Sequence, residues 1–134
     1  MERLAEDNYV QIVENAIKEL VAPARRDKNG NPVRIVTTSK LRNILAMTMD
    51  IYNQVQSARG EKLTPEMNSR IEYLRVRIIY ECGREASVKA LVREAQILES
   101  LREINGSRKN FILFAHDLEA LVAYRKFVGG DRDL

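Results

Sequence analysis

"TPEMNSRIEYLRVRIIYECGR", Thr64 to Arg84, is the stretch whose reading decides the fold. Thr64 offers a capping hydroxyl, Pro65 suits a first helical turn, and Glu66 sits toward the positive end of a helix dipole. A helix therefore starts here. Ile71, Leu74, Ile78 and Cys82 give it one apolar side, and Tyr73, Val76 and Tyr80 give it another. A helix that is apolar on more than one side belongs in the centre of a bundle. Other helices are expected to wrap it.

The flanking sequence supplies them. "NYVQIVENAIKEL" carries Tyr9, Ile12, Val13, Ala16, Ile17 and Leu20 at three- and four-residue spacings, an amphipathic first helix. Pro23 and the turn-forming "DKNGNP" follow, and a mobile basic loop is expected over 23–36. "RIVTT" has strand-like residues but no partner strand. The second helix starts between Thr37 and Ser39, with Thr38 as the expected N-cap. Its buried stripe is Leu41, Ile44, Leu45, Thr48, Ile51, Tyr52 and Val55, and "SARGEKL" ends it. A fourth helix spans Ala86 to Ile104, with Val88, Leu91, Val92, Ala95, Leu98 and Leu101 inward and Asn105-Gly106 closing it. Ser107 caps a fifth, in which Phe111, Phe114, Ala115, Leu118, Leu121 and Val122 face the core, and Gly129-Gly130 stops it. The expected fold is all-α: one helical-bundle domain over 1–134, with about five helices.

Length and composition fit that reading. The 134 residues are enough for one core, and 45% hydrophobic with 31% charged residues is a globular profile. No apolar run approaches a membrane span, and Met1 to Leu20 is acidic and amphipathic rather than signal-like, so a cytoplasmic protein is expected. One cysteine, Cys82, and one histidine, His116, argue against an internal disulfide and a Cys/His zinc site. "NGS" at Asn105 to Ser107 matches a glycosylation sequon but reads as a helix break followed by a cap.

Catalytic chemistry needs a constellation, and none is apparent. His116 and Asp117 are neighbours on a helix, where side chains diverge by about 100°, so they form no dyad. Glu85, Asp117 and Glu119 lack paired-carboxylate spacing, no glycine-rich phosphate loop is present, and Cys82 lies on an apolar face. The chain is read as a non-enzyme without cofactor or metal.

The cations are more informative. From Pro23 to Arg42, Arg25, Arg26, Lys28, Arg34, Lys40 and Arg42 stand against Asp27 alone, a local balance of +5 within a net charge of +3. The remaining 114 residues carry −2. Such clustering is the footprint of a nucleic-acid partner, or else a solvated basic loop. Lys40 and Arg42 sit at the positive end of their helix, and no acidic residue stands three or four positions away. A phosphate would resolve that conflict, taking hydrogen bonds from the free N–H groups of the helix start and from Thr37, Thr38 or Ser39. Arg70, Arg77 and Arg84 recur every seven residues, so they share one helix face at intervals of about 10 Å. They suit a phosphate-lined groove, although Glu66 can pair with Arg70, and Glu81 with Arg77 or Arg84. Arg125 and Lys126, in a last turn, are explained equally well by the dipole.

In combination, a flexible basic loop running into "TTSKLRNIL", "YECGRE" at the end of a central helix and a terminal "LEALVAYRKFVGG" resemble the small subunit of type III-A CRISPR effector complexes. The resemblance covers about Asn8 to Gly130, and the order of its motifs makes it specific. It implies a five-helix bundle that stacks in several copies along a ribonucleoprotein. It further implies guide RNA and target RNA, a backbone subunit and a large subunit as partners, and no nuclease activity of its own. By position it makes Lys40, Arg42, Arg84, Arg125 and Lys126 candidates for an RNA-facing groove, with Arg77 beside them and Arg34, Arg25, Arg26 and Lys28 as loop contacts. Binding would be sequence-independent and directed at phosphates and sugars, with base pairing supplying specificity. Only 6% aromatic residues argue against base stacking as the main mode. Ile97 and Ile104 either pack in the core or serve contacts between copies. A protein-interaction adaptor, its basic patch meeting an acidic partner, is the alternative; a DNA-binding repressor and a metal-dependent nuclease fit less well.

Overall fold

The computed structural model describes residues 3–21 and 35–129. Six helices follow in order: α1 Tyr9–Val21, α2 Thr38–Ser57, α3 Pro65–Arg84, α4 Ala86–Glu94, α5 Ile97–Ile104 and α6 Arg108–Val128. An isolated bridge between Lys62 and Ser107 is the nearest approach to a strand among the described residues. The fold is all-α.

Side-chain hydroxyls set three of the helix starts. Thr64 accepts from Met67 N at 3.2 Å ahead of Pro65, and Ser107 accepts from Asn110 N at 3.2 Å. At α2 the cap is Thr37, one residue earlier than expected; Thr38 is the first helical residue and is buried.

The expected fourth helix is two helices. Gln96 adopts φ 54°, ψ 44°, a left-handed conformation that breaks the ladder between Ala95 and Ile97. The core requires the break. In one continuous helix Ile97 would lie about 180° around from Val88, and Leu101 and Ile104 would follow it away from the core. The turn at Gln96 swings this second stripe inward, so that Val88, Leu91 and Val92 of α4 and Ile97, Leu101 and Ile104 of α5 are all buried. Ile97 and Ile104 thus serve the core and are not an outer contact surface.

The centre is also not where the sequence placed it. α6 occupies it, packed against α1, α2 and α5 and burying Phe111, Phe114, Ala115, Leu118 and Leu121. α3 lies at the edge, against α2 and α4 with a smaller contact to α5. It buries one stripe, Met67, Ile71, Leu74 and Ile78, and leaves Tyr73, Val76, Ile79 and Tyr80 exposed.

Arginines tie the ends together. Arg108 Nε donates to Val55 O at 2.8 Å and its Nη2 to Gln56 O at 3.0 Å, joining the start of α6 to the end of α2. Arg3 Nη2 donates to Ala95 O at 3.1 Å and to Ser100 Oγ, seating the N-terminal residues over the α4–α5 break. Of the basic loop expected over 23–36, residues 23–34 lie outside the described residues; Val36, at its end, is buried.

Candidate nucleic-acid interface

The interface is built where three helix ends converge. Thr37 is extended and its Oγ1 accepts from Lys40 N at 3.3 Å, which fixes Lys40 in the first turn of α2. The short Ala58–Thr64 connection returns the chain antiparallel, bringing the end of α3 beside the start of α2. Glu85 closes α3, donating its N–H to Glu81 O, and opens α4 without a side-chain cap. One groove results, lined by Lys40, Asn43, Ile44 and Met47 of α2, Arg77, Glu81 and Arg84 of α3, and Val88 of α4.

Lys40, Arg77 and Arg84, drawn from two separate stretches of sequence, thus share a single site. Their charges are partly answered. Lys40 Nζ pairs with Glu85, 45 residues along the chain. That contact overturns the expectation that Lys40 lacks a carboxylate, and the hydrogen bond holds the Glu85 carboxyl below its ordinary pKa. Glu81 lies 3.9 Å from Arg77 and 3.6 Å from Arg84, in reach of both. Three cations against two carboxylates leave the groove positive by one. The two arginines also bracket Tyr80, their guanidinium carbons 5.4 Å and 5.8 Å from the ring centroid.

The other candidates divide. Arg42 is exposed, with no ion pair to any described residue, so it is the cation that keeps the electrostatic mismatch at the α2 start. Lys126 is exposed in the last turn of α6, at the same end of the bundle. Arg125 does not belong with them. It is 1% exposed, and its Nε donates to Val36 O at 2.6 Å and its Nη1 to Gly129 O at 2.9 Å. It is a strut that anchors the approach to α2, unavailable to an outside strand. Arg34, like Arg25, Arg26 and Lys28, lies outside the described residues. Arg70, on the same face as Arg77 and Arg84, donates to Gln54 Oε1 at 2.7 Å and does not pair with Glu66.

Sequence reasoning missed Glu85, Asn43 and Met47 as groove residues. Their roles depend on how α2 and α3 pair, and no local spacing encodes that.

His116 packs against the rings of Tyr9 and Tyr52, at centroid distances of 6.4 Å and 5.9 Å. Asp117 is buried, with no hydrogen-bond partner at Oδ2, and desolvation raises its pKa to about 7 despite the nearby Arg3 charge. Burial raises the Cys82 thiol pKa, which makes it a poorer nucleophile at neutral pH. Among the described residues no cluster of three or more His, Cys, Asp or Glu is arranged to hold a metal, and no helix is long and apolar enough to cross a membrane.

Residues 14–131 match the family model described as Csm2 Type III-A. The chain belongs to this family. It is 39% identical over 127 residues to the CRISPR system Cms protein Csm2 of Streptococcus thermophilus, covering 95% of this chain and 96% of that one. It is 34% identical over 123 residues to the protein of the same name from Mycobacterium tuberculosis, covering 92% and 93%. The match to an Enterococcus italicus Csm2 is shorter, 33% identity over 94 residues, or 69% of this chain and 67% of that one. The family match spans the groove and all the described candidate cations.

Proposed function

We propose that this chain is a non-catalytic, RNA-binding small subunit of a type III-A CRISPR ribonucleoprotein. It stacks in several copies along the complex and contacts guide and target RNA through their backbones without sequence preference, in antiviral defence in the cytoplasm. The other effector subunits, backbone and large, are its protein partners. The RNA-facing residues are Lys40, Arg42, Arg77, Arg84 and Lys126, with Arg34 contributing from the preceding segment. The observation that carries this reading is the convergence of Lys40, Arg77 and Arg84 on one groove at the positive pole of α2, with Arg42, which pairs with no described carboxylate, in the same turn. Phosphates are recognised by that combination of guanidinium, ammonium and free helix-start N–H groups, and such contacts are indifferent to base identity. Val76 and Ile79, exposed on α3, support assembly with neighbours, since monomeric proteins rarely leave contiguous apolar surface uncovered.

The test is RNA binding by the purified chain at several salt concentrations, using single strands of unrelated sequence. Affinities should agree between sequences and fall with salt, with a slope of roughly 0.7 per phosphate contact. A Lys40→Ala/Arg42→Ala double variant should bind about tenfold or more weakly and lower that slope by about one to two contacts. Unchanged binding by the double variant rejects the site. Binding to an acidic protein but to no RNA would support the adaptor reading.

A further inference from the structure

The aromatic residues of this chain are few but not evenly placed. Tyr9, Tyr52 and Tyr124 are half-buried, while Tyr73 and Tyr80 are 64% and 54% exposed. Both lie on α3, seven residues apart, and so on one face about 10 Å from each other. Arg70, Arg77 and Arg84 share that face. At about 100° per residue the five side chains fall within an arc of roughly 80°, in the order Arg70, Tyr73, Arg77, Tyr80, Arg84. Guanidinium and phenol alternate along the whole helix. The row borders two neighbouring grooves between α2 and α3: one is lined by Asp50, Ile51, Arg70 and Tyr73, the other by Lys40, Arg77 and Arg84, and Met47 belongs to both.

We infer that Tyr73 and Tyr80 are stacking platforms for unpaired RNA bases, so that α3 grips single-stranded RNA by its bases as well as its phosphates. This rests on the RNA-binding reading above and adds a second kind of contact to it. A base has two faces and no charge, so it is held by a flat ring, while its phosphate is held by the cation beside it. Exposed rings at one-helix-face spacing, each with arginines three or four residues away, provide both. The spacing of about 10 Å is several times the roughly 3.4 Å that separates stacked nucleotides along one strand of a DNA duplex, so each ring meets a different base. Arg77 and Arg84 lie over the Tyr80 ring, so a base stacks there by displacing a guanidinium, which stays within reach of the adjoining phosphate. Because any base has a π-face, the contact stays sequence-tolerant, as an RNA-guided complex requires. A protein partner is the less favoured occupant: it would centre on Val76 and Ile79, which lie further round the helix, away from the arginine row.

The experiment compares two single-stranded RNA oligomers of equal length, one with ordinary bases and one abasic over its central nucleotides, binding to the full chain. The wild type should prefer the base-bearing strand by about 30-fold or more, at roughly fivefold or above for each of the two stacked bases. Tyr73→Ala/Tyr80→Ala should lose that preference while keeping the salt slope, because no charge has been removed. Tyr73→Phe/Tyr80→Phe should restore the preference, since the phenyl ring still stacks. Equal wild-type binding to both strands, with an ordinary salt slope, overturns the stacking inference and leaves the phosphate reading standing. Binding to neither strand overturns both. If the alanine pair leaves RNA binding intact but abolishes self-association in sedimentation, the row belongs to a second copy of this chain and the inference is wrong.

Discussion

α3 and α6 are nearly equal in length and both carry apolar residues on several sides, yet one lies at the edge of the bundle and the other in its centre. The residues between the apolar ones separate them. In α6 the run Phe111 to Val122 is interrupted only by His116, Asp117 and Glu119, of which only Glu119 is exposed. In α3, Glu72, Arg75, Arg77 and Glu81 alternate with Tyr73, Val76, Ile79 and Tyr80, so its second apolar side cannot be buried without burying charge. Desolvating four charged side chains costs more than covering four apolar ones gains. Being apolar on two sides therefore places a helix in the core only when its remaining residues can be buried too.

The contrast gives three measurements. The largest effect is expected at the centre: Phe114→Ala in α6 removes a fully buried ring and should cost about 3–5 kcal/mol of unfolding free energy, read by chemical denaturation. A loss below about 1 kcal/mol would mean that α6 is not the centre.

The second concerns Asp117, the buried carboxyl on α6. Its pKa is raised from 3.8 to about 7, so the native state holds a proton that the unfolded chain has released. This group's contribution is fully present below pH 3.8 and is lost as pH rises toward about 7, roughly 4 kcal/mol in all. Glu85, held low by Lys40, acts with the opposite sign, and only as pH falls through its ordinary value of 4.5. Asp117→Asn should flatten the stability profile between those limits, as denaturation at a series of pH values would show. A variant that keeps the wild-type slope would place the titration elsewhere.

The smallest effect is expected at the edge. Tyr80→Ala in α3 should change stability by no more than about 0.5 kcal/mol, because the ring packs on little besides two arginines. A thermal shift of many degrees would show that the exposed face supports the fold.

Most of the fold was legible because amphipathic stripes and caps are local: α1, the start at Thr64 and the start at Ser107 need no knowledge of neighbours. The Gln96 break was not legible, since no glycine or proline marks it and only the phase jump between Val88 and Ile97 betrays it. For the candidate site, spacing put Arg77 and Arg84 on one face, and Lys40 was conspicuous by its position on the dipole. Its union with them, its pairing with Glu85, and the burial of Arg125 depend on how distant segments meet. A last-turn arginine looks the same in sequence whether it faces water or props a carbonyl.

That the central helix is also the last of the six has a consequence for synthesis. As the polypeptide leaves the ribosome, α2 can meet α3 and α1 can meet α4, but the helix against which α1 and α2 bury most, Arg108 to Val128, is made after all of these. The nascent chain completes its interior late, so a stop codon ahead of α6 would release a product that lacks the helix its other elements surround.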